Sequence, residues 1–99
     1  MKEKLLEIIN HYGLEKQLKY IHSEYFELDE AILNYENRRF NMPELSQIRA
    51  RNHIVEEIAD VMVMLKQFQY YYDITDEQIE EIMNKKIDRQ LERIENEPS

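Results

Sequence analysis

The sequence predicts an all-α protein, an antiparallel four-helix bundle. Only one glycine and two prolines occur among 99 residues, so few positions interrupt helices. Apolar residues recur at spacings of three and four in four separate stretches, which is typical of core-facing helices. The connections between these stretches are short, as expected for antiparallel neighbours.

Length and charge restrict the classes of function. We expect one domain over residues 1–95, followed by a frayed tail at 96–99. A net charge of −8 argues against nucleic acid or an anionic membrane as partner. No cysteine is present, which excludes disulfides and thiolate metal sites. Because Met1–Lys4 also lacks the features of a signal peptide, we expect a cytoplasmic protein.

The first half of the chain predicts two helices joined at Gly13. The first covers Lys2–Tyr12, and Gly13 suits a C-cap with positive φ. The second covers Leu14–Glu36. Its expected core stripe consists of Leu18, Ile21, Tyr25, Leu28, Ile32 and Tyr35.

The second half begins with a predicted loop at Asn37–Met42, whose two arginines either are solvated or face a phosphate. Pro43 suits the first turn of a helix that continues to about Tyr72. Such a helix is roughly 43 Å long, more than a domain this size covers, so we expect part of it to contact another subunit. Its expected core stripe is Ile54, Ile58, Val61, Leu65, Phe68 and Tyr72.

A fourth helix is predicted to start after Thr75. Gln78 lies three residues later and completes a capping-box pattern with Thr75. The expected core side consists of Ile79, Ile82, Met83, Ile87, Leu91 and Ile94.

Two pairs of acidic residues lack a local cation. Glu57 and Asp60 lie on or beside the apolar stripe of the third helix, and no Lys or Arg stands three or four residues from Glu57. Glu24 and Glu27 repeat this arrangement in the second helix. An unpaired buried carboxylate is costly, so a distant cation or a metal ion should meet it. Packed together, the four acids would form an oxygen-only site suited to Mg²⁺ or Mn²⁺.

Ordinary alternatives remain for these residues. The four acids could be solvated, or paired across helices with Lys66, Lys85 or Arg89. His53 lies four residues before Glu57 and either orients a ligand or water or has a structural role. The absence of Glu-x-x-His argues against a ferritin-like di-iron centre, and no glycine-rich phosphate loop is present.

The motifs Glu24-x-x-Glu27 and Glu57-x-x-Asp60, the second followed by an apolar run, resemble the MazG-like all-α nucleoside triphosphate pyrophosphohydrolases. The resemblance covers most of the chain from the second helix onward. It implies Mg²⁺-dependent hydrolysis of nucleoside triphosphates to nucleoside monophosphate and pyrophosphate. Deoxynucleotides are included among the substrates that the resemblance allows. Glu24, Glu27, Glu57 and Asp60 would be the catalytic metal ligands. The enzyme would work as a homodimer or homotetramer in maintaining the nucleotide pool.

The same family often carries a lysine, an asparagine four residues later and a further basic residue. Lys86, Gln90 and Arg93 occupy the matching positions, with Gln in place of Asn, and would contact the substrate phosphates. The alternative is ordinary salt bridging with neighbouring glutamates of the fourth helix.

Two departures from the family pattern favour other functions. Many members have Glu directly before the first ligand, where this chain has Ser23. The 29 residues between Glu27 and Glu57 form a long interval. A non-catalytic helical oligomer or regulatory module with the same fold is therefore the main alternative. The related phosphoribosyl-ATP pyrophosphatase activity is another.

Overall fold

The computed structural model describes residues 1–98 and contains four α-helices. They are α1 (Lys2–Tyr12), α2 (Leu14–Arg38), α3 (Glu44–Tyr71) and α4 (Asp76–Glu95), with a 3₁₀ turn at Arg39–Asn41. No β-strand occurs within this range, so the all-α class and the number of helices are confirmed. None of the helices in residues 1–98 has the length and apolarity needed to cross a membrane.

The helix connections follow from a few local signals. Gly13 has φ +92°, as predicted, and its N–H donates to the carbonyl of Ile9. The α2 helix extends to Arg38, and the 3₁₀ turn occupies half of the segment predicted as a loop. Pro43 stands just before α3 rather than inside its first turn.

The helices α1, α2 and α3 pack against one another, with α2 and α3 in the most extensive contact. The face of α2 turned toward its neighbours follows spacings of three and four and includes buried Gln17, Glu24 and Ala31. The core stripe predicted for α2 was therefore centred on the wrong side of the helix, since Tyr25 is 66% exposed and Leu18 is also exposed. Apolar periodicity selected the neighbouring face because the buried face carries an amide and a carboxylate.

The same shift occurs on α3. Its buried residues are Glu57, Met64, Gln67 and Gln69, whereas Ile58 and Leu65 from the predicted stripe are exposed. The helix has two apolar faces, and only one of them packs within the chain. Sequence periodicity finds both faces but does not distinguish which one is covered.

Helix α4 projects from the other three. None of its residues is buried, although apolar side chains recur along its length. The radius of gyration is 17.4 Å, compared with about 13 Å for a compact chain of this length. The predicted capping box is confirmed, since Thr75 Oγ1 accepts from the Gln78 N–H and Gln78 Oε1 accepts from the Thr75 N–H. Asn96 closes α4, and Ser99, the last residue of the predicted tail, lies outside the described residues.

Candidate functional site

Three of the four predicted acids lie together where α2 and α3 pack. Glu24 from α2 and Glu57 and Asp60 from α3 each offer one carboxylate oxygen, and these three oxygens lie within 4.8 Å of one another. Glu24 and Glu57 occupy buried positions on the facing sides of their helices, and Asp60 follows Glu57 by almost one turn. We call these three residues the acid cluster.

Burial makes the acid cluster unusual. Glu24 is 6% and Glu57 7% exposed, and the Oε2 atom of each is buried without a hydrogen-bond partner. No Lys or Arg within residues 1–98 forms an ion pair with a member of the cluster. Buried polar atoms are nearly always satisfied in folded proteins, and an unpaired buried charge is costlier still. The donor set therefore fits a hard divalent cation, which takes carboxylate oxygens as ligands.

Electrostatic effects at Glu57 are consistent with crowded negative charge. Burial, followed by repulsion from Glu27 and Asp60, raises the pKa of Glu57 above its ordinary range. The nearby His53 opposes this shift, with its Nε2 atom 3.7 Å from Glu57 Oε1. A divalent cation at the cluster would remove the repulsion that raises this pKa.

Glu27, the fourth predicted ligand, is exposed and lies beside the cluster rather than within it. It lines a cavity of about 550 Å³ together with His53 and Glu57. Its charge is close enough to contribute to the raised pKa of Glu57. The structure thus brings Glu27 to the border of the site.

A cleft between α1, α2 and α3 opens next to the acid cluster. Its volume is about 490 Å³, and both Glu24 and Asp60 form part of its wall. This volume is within the range of about 300–1,000 Å³ for small-molecule sites. The remaining lining residues are Ile8, Tyr12, Lys16, Gln17, Tyr20, Val63, Met64 and Gln67.

Several residues of this cleft were not predicted from the sequence. Lys16 is the cation of the lining, and its Nζ lies 5.0 Å from the centre of the Tyr12 ring. Gln17 donates through Nε2 to Gln67 Oε1 at 2.9 Å, which joins α2 to α3 at the base of the cleft. Both glutamines are buried. No sequence signal marks them, because the faces that they occupy become known only from the packing of the helices.

The Glu24 carboxylate also affects the cleft. It raises the pKa of Tyr20, first as an acceptor for the hydroxyl proton and second as a nearby negative charge. The phenol is therefore kept protonated over a wide pH range. Because its one proton is donated to Glu24, the Tyr20 hydroxyl can act toward a ligand in the cleft only as a hydrogen-bond acceptor.

The predicted phosphate-binding residues of α4 do not lie at the acid cluster in this chain. Lys86 and Gln90 line a shallow groove on α4 itself, and Arg93 is exposed on the same helix. None of the three lines the cavities that contain Glu24, Glu57 or Asp60.

The cations considered as alternative partners for the acids also lie elsewhere. Lys66 pairs with Asp76 at 2.6 Å, and Lys85 pairs with Glu81 at 3.4 Å. Arg89 forms no ion pair with any residue from 1 to 98. Pairing across helices therefore does not neutralise the acid cluster.

Comparison with known proteins found no match. No family model, no curated protein and no solved structure matches the chain. The functional argument consequently depends on the residues of the site and on their arrangement.

Proposed function

We propose that this protein is a nucleoside triphosphate pyrophosphohydrolase that depends on Mg²⁺, with Mn²⁺ as a possible substitute, and resembles the MazG-like enzymes. The observation that carries the proposal is the acid cluster, in which two nearly buried carboxylates have oxygens without partners. The fold brings three carboxylates together and leaves an oxygen of Glu24 and one of Glu57 without hydrogen-bond partners. Such a site is suited to divalent cations that accompany a polyphosphate.

The acids have separate roles in this proposal. Glu24, Glu57 and Asp60 would hold the metal, which when bound neutralises phosphate charge and lowers the pKa of a water molecule. Glu27 stands at the border of the cluster and would accept a hydrogen bond from a water molecule there. Ser23 precedes the first ligand, so this chain has no acid at a position where many MazG-like enzymes carry one.

The cleft beside the cluster is the proposed place of the nucleotide. Lys16 would contact a phosphate as a point charge, and the aromatic rings of Tyr12 and Tyr20 would contact the nucleoside. Because Glu24 and Asp60 belong to the cleft wall, a nucleotide there would present its phosphates to the acid cluster. Lys86, Gln90 and Arg93 would join the phosphates only in an assembly that brings α4 of another copy to the site.

A substrate panel tests the proposal directly. Purified protein is incubated with Mg²⁺ and each common ribo- and deoxyribonucleoside triphosphate, and pyrophosphate is measured against orthophosphate. We expect pyrophosphate from a subset of nucleotides and a loss of at least about 100-fold in Glu57→Gln, because charge stabilisation at the phosphates is lost.

Glu56→Gln is the matched control, since Glu56 is adjacent in sequence, exposed and outside the acid cluster. We expect its activity to stay close to that of the wild type. Orthophosphate as the main product, or equal activity in Glu57→Gln and wild type, would contradict the proposal.

A non-catalytic helical oligomer is the second candidate function. It is favoured by Ser23 and by the exposed apolar side chains of α3 and α4. This candidate predicts no turnover of any nucleotide and no stabilisation by Mg²⁺. The substrate panel and a melting curve with and without Mg²⁺ therefore separate the two candidates.

A further inference from the structure

Two buried glutamines line the cleft, and their hydrogen-bonding capacity is only partly used. Gln17 of α2 is 5% exposed and Gln67 of α3 is 1% exposed. Two carboxamides together offer several N–H donors and two acceptor oxygens. Within residues 1–98 the pair makes one bond between its members, at 2.9 Å, and one to the sulfur of Met64, at 3.6 Å. We call Gln17 and Gln67 the amide pair.

The sulfur of Met64 orients both amides. A thioether sulfur accepts a hydrogen bond but cannot donate one, so it selects Nε2 of Gln67 and not Oε1. Gln67 Oε1 is then turned toward Gln17 and accepts from its Nε2. Gln17 Oε1 is the atom left over, because no hydrogen bond to it occurs within residues 1–98. The amide pair therefore presents a free acceptor.

This free acceptor is reached from the cleft. The buried side-chain atoms that lack a partner within residues 1–98 belong to Glu24, Arg39 and Glu57, so Gln17 Oε1 is not enclosed. Gln17 is otherwise buried and lines the cleft, which is where its oxygen meets solvent. A buried polar group of this kind is nearly always satisfied in a folded protein, so a water molecule or a ligand has to supply the missing donor.

The amide pair lies two helical turns from the acid cluster on both helices. Gln17 precedes Glu24 by seven residues, and Gln67 follows Asp60 by seven. At 1.5 Å per residue, this spacing is about 10 Å along each helix. A nucleotide spans a similar distance between the hydrogen-bonding edge of its nucleobase and its phosphates. Phosphates at the acid cluster would thus place the nucleobase at the amide pair.

Aromatic and apolar side chains form the wall between these two levels. Tyr12 and Tyr20 line the cleft, and Val63 and Met64 add apolar surface. Stacking on aromatic rings tolerates every nucleobase, since each nucleobase has a π face. Discrimination among nucleobases therefore falls to hydrogen bonds at the amide pair.

We propose that the amide pair reads the nucleobase of the substrate and that Gln17 Oε1 accepts an N–H of that nucleobase. This inference rests on the proposed function, because it takes a nucleotide as the occupant of the cleft. The Gln17 carboxamide presents an acceptor beside a donor, so its complement is an edge with a donor beside an acceptor, as in the pairing of glutamine with adenine. A nucleobase whose edge is blocked by methylation would leave Gln17 Oε1 unpaired, which is costly for a buried group.

Binding of nucleotides with an intact or a blocked edge tests the inference without requiring turnover. The probes are the α,β-imido analogues of ATP, GTP, CTP and UTP, which resist cleavage between the α- and β-phosphates, and their counterparts with a methylated nucleobase edge. Calorimetry in the presence of Mg²⁺ gives each Kd. We expect at least one intact analogue to bind about 10-fold or more tightly than its methylated counterpart, because a site built to accept a ligand N–H rejects an analogue without it.

The double variant Gln17→Leu with Gln67→Leu removes the amide pair without leaving one amide alone. Its preference for the intact analogue should disappear, whereas its Kd for inorganic tripolyphosphate, which has no nucleobase, should match that of the wild type. Circular dichroism and urea unfolding show whether the variant is folded. If it is not, Gln17→Met keeps the length of the side chain, removes the acceptor and carries the same expectation.

Gln69→Leu is the matched control. Gln69 is also a buried glutamine of α3, but it donates to the Ile74 carbonyl and to Asp76 and does not line the cleft. Its loss removes a buried amide without changing the amide pair. This variant should keep the preference for the intact analogue.

The outcomes separate this inference from the proposed function. Equal binding of intact and methylated analogues by the wild type, or a preference that survives in the double variant, would overturn the inference even if the substrate panel yields pyrophosphate. A preference that depends on the amide pair, with no pyrophosphate from any nucleotide, would support the inference and contradict the hydrolase proposal alone. Failure of every analogue to bind would overturn the inference.

Discussion

Two acidic residues of α3 and α4, Glu57 and Asp76, have opposite environments. Asp76 is exposed but accepts hydrogen bonds from Lys66 Nζ at 2.6 Å, Gln69 Nε2 at 2.7 Å and the Tyr70 hydroxyl at 3.1 Å. Led by the bond from Lys66, these contacts hold the pKa of Asp76 at about 2. Glu57 is nearly buried, has an oxygen without a partner and has a raised pKa.

This difference distinguishes a carboxylate that the fold satisfies from one that the fold leaves unsatisfied. The bonds to Asp76 are made by the protein itself and fix the start of α4. No Lys or Arg within residues 1–98 pairs with Glu57, and its Oε2 atom has no hydrogen-bond partner. A carboxylate that the fold satisfies contributes to stability, whereas one that the fold leaves unsatisfied favours binding.

The largest expected effect is stabilisation by metal. At Mg²⁺ concentrations of 100 times Kd, the free energy of unfolding should rise by about 2.7 kcal/mol, which is roughly 10 °C or more in Tm for this length. Glu24→Gln and Glu57→Gln should lose most of this rise in a thermal melt, whereas Glu56→Gln should keep it. An equal rise in all four proteins would place the metal elsewhere.

The second expected effect is the response of Asp76 to substitution and pH. Because its pKa is lowered in the fold, Asp76 contributes stability above its ordinary pKa of about 3.9, and this contribution is lost as pH falls through about 2. Asp76→Asn should therefore destabilise the protein at pH 7 but have little further effect near pH 1. Hydrogen exchange along α4 should accelerate at neutral pH.

Glu77→Gln provides the control for this substitution. Glu77 is also in the first turn of α4 but forms no ion pair within residues 1–98. If both variants accelerate exchange equally, the loss reflects charge at the helix start and not the contacts of Asp76.

The third expected effect concerns the buried amides. Gln67→Leu should lower the free energy of unfolding by about 1–3 kcal/mol, because it leaves the Gln17 amide without its partner. The double variant Gln17→Leu with Gln67→Leu should recover most of that loss in urea unfolding. If the double variant is less stable than Gln67→Leu, the hydrogen bond between the two amides stabilises the fold by more than their desolvation costs. The interpretation is then wrong.

The smallest expected effect is the pH dependence of the metal-free protein. Since the pKa of Glu57 is raised in the fold, its charge disfavours folding above that pKa, and the penalty disappears as pH falls below the ordinary value of about 4.3. Glu57→Gln should thus be more stable than wild type at pH 7 in the presence of a chelator and equally stable near pH 4. A constant difference across this range would indicate a packing effect.

The sequence predicted the helices better than their buried faces. Local signals such as Gly13 and the Thr75–Gln78 capping box act within a few residues, so they are readable without tertiary information. The orientation of α2 and α3 is set by packing between distant residues, where Gln17 meets Gln67. Hydrophobicity favoured Tyr25 and Ile58 because the covered faces contain polar groups.

The site was predictable to the extent that it depends on spacing. The sequence predicts Glu24, Glu27, Glu57 and Asp60 as site residues because no cation stands nearby along their helices. The structure brings three of them together and leaves Glu27 beside the cluster. Lys16 in the cleft was missed, because a single lysine in a charged helix has no periodic signal. The positions of Lys86, Gln90 and Arg93 relative to the acids depend on how α4 packs, which no local pattern specifies.

The backbone at Gly13 has a consequence for tolerance to mutation. With φ +92° and ψ 150°, it occupies a region that essentially only glycine adopts, although a Cβ there would meet no atom within 4 Å. A survey of substitutions should therefore find this position intolerant despite the free space around it. Since α1 supplies Ile8 and Tyr12 to the cleft, replacements at a turn far from the acids should alter the shape of the cleft.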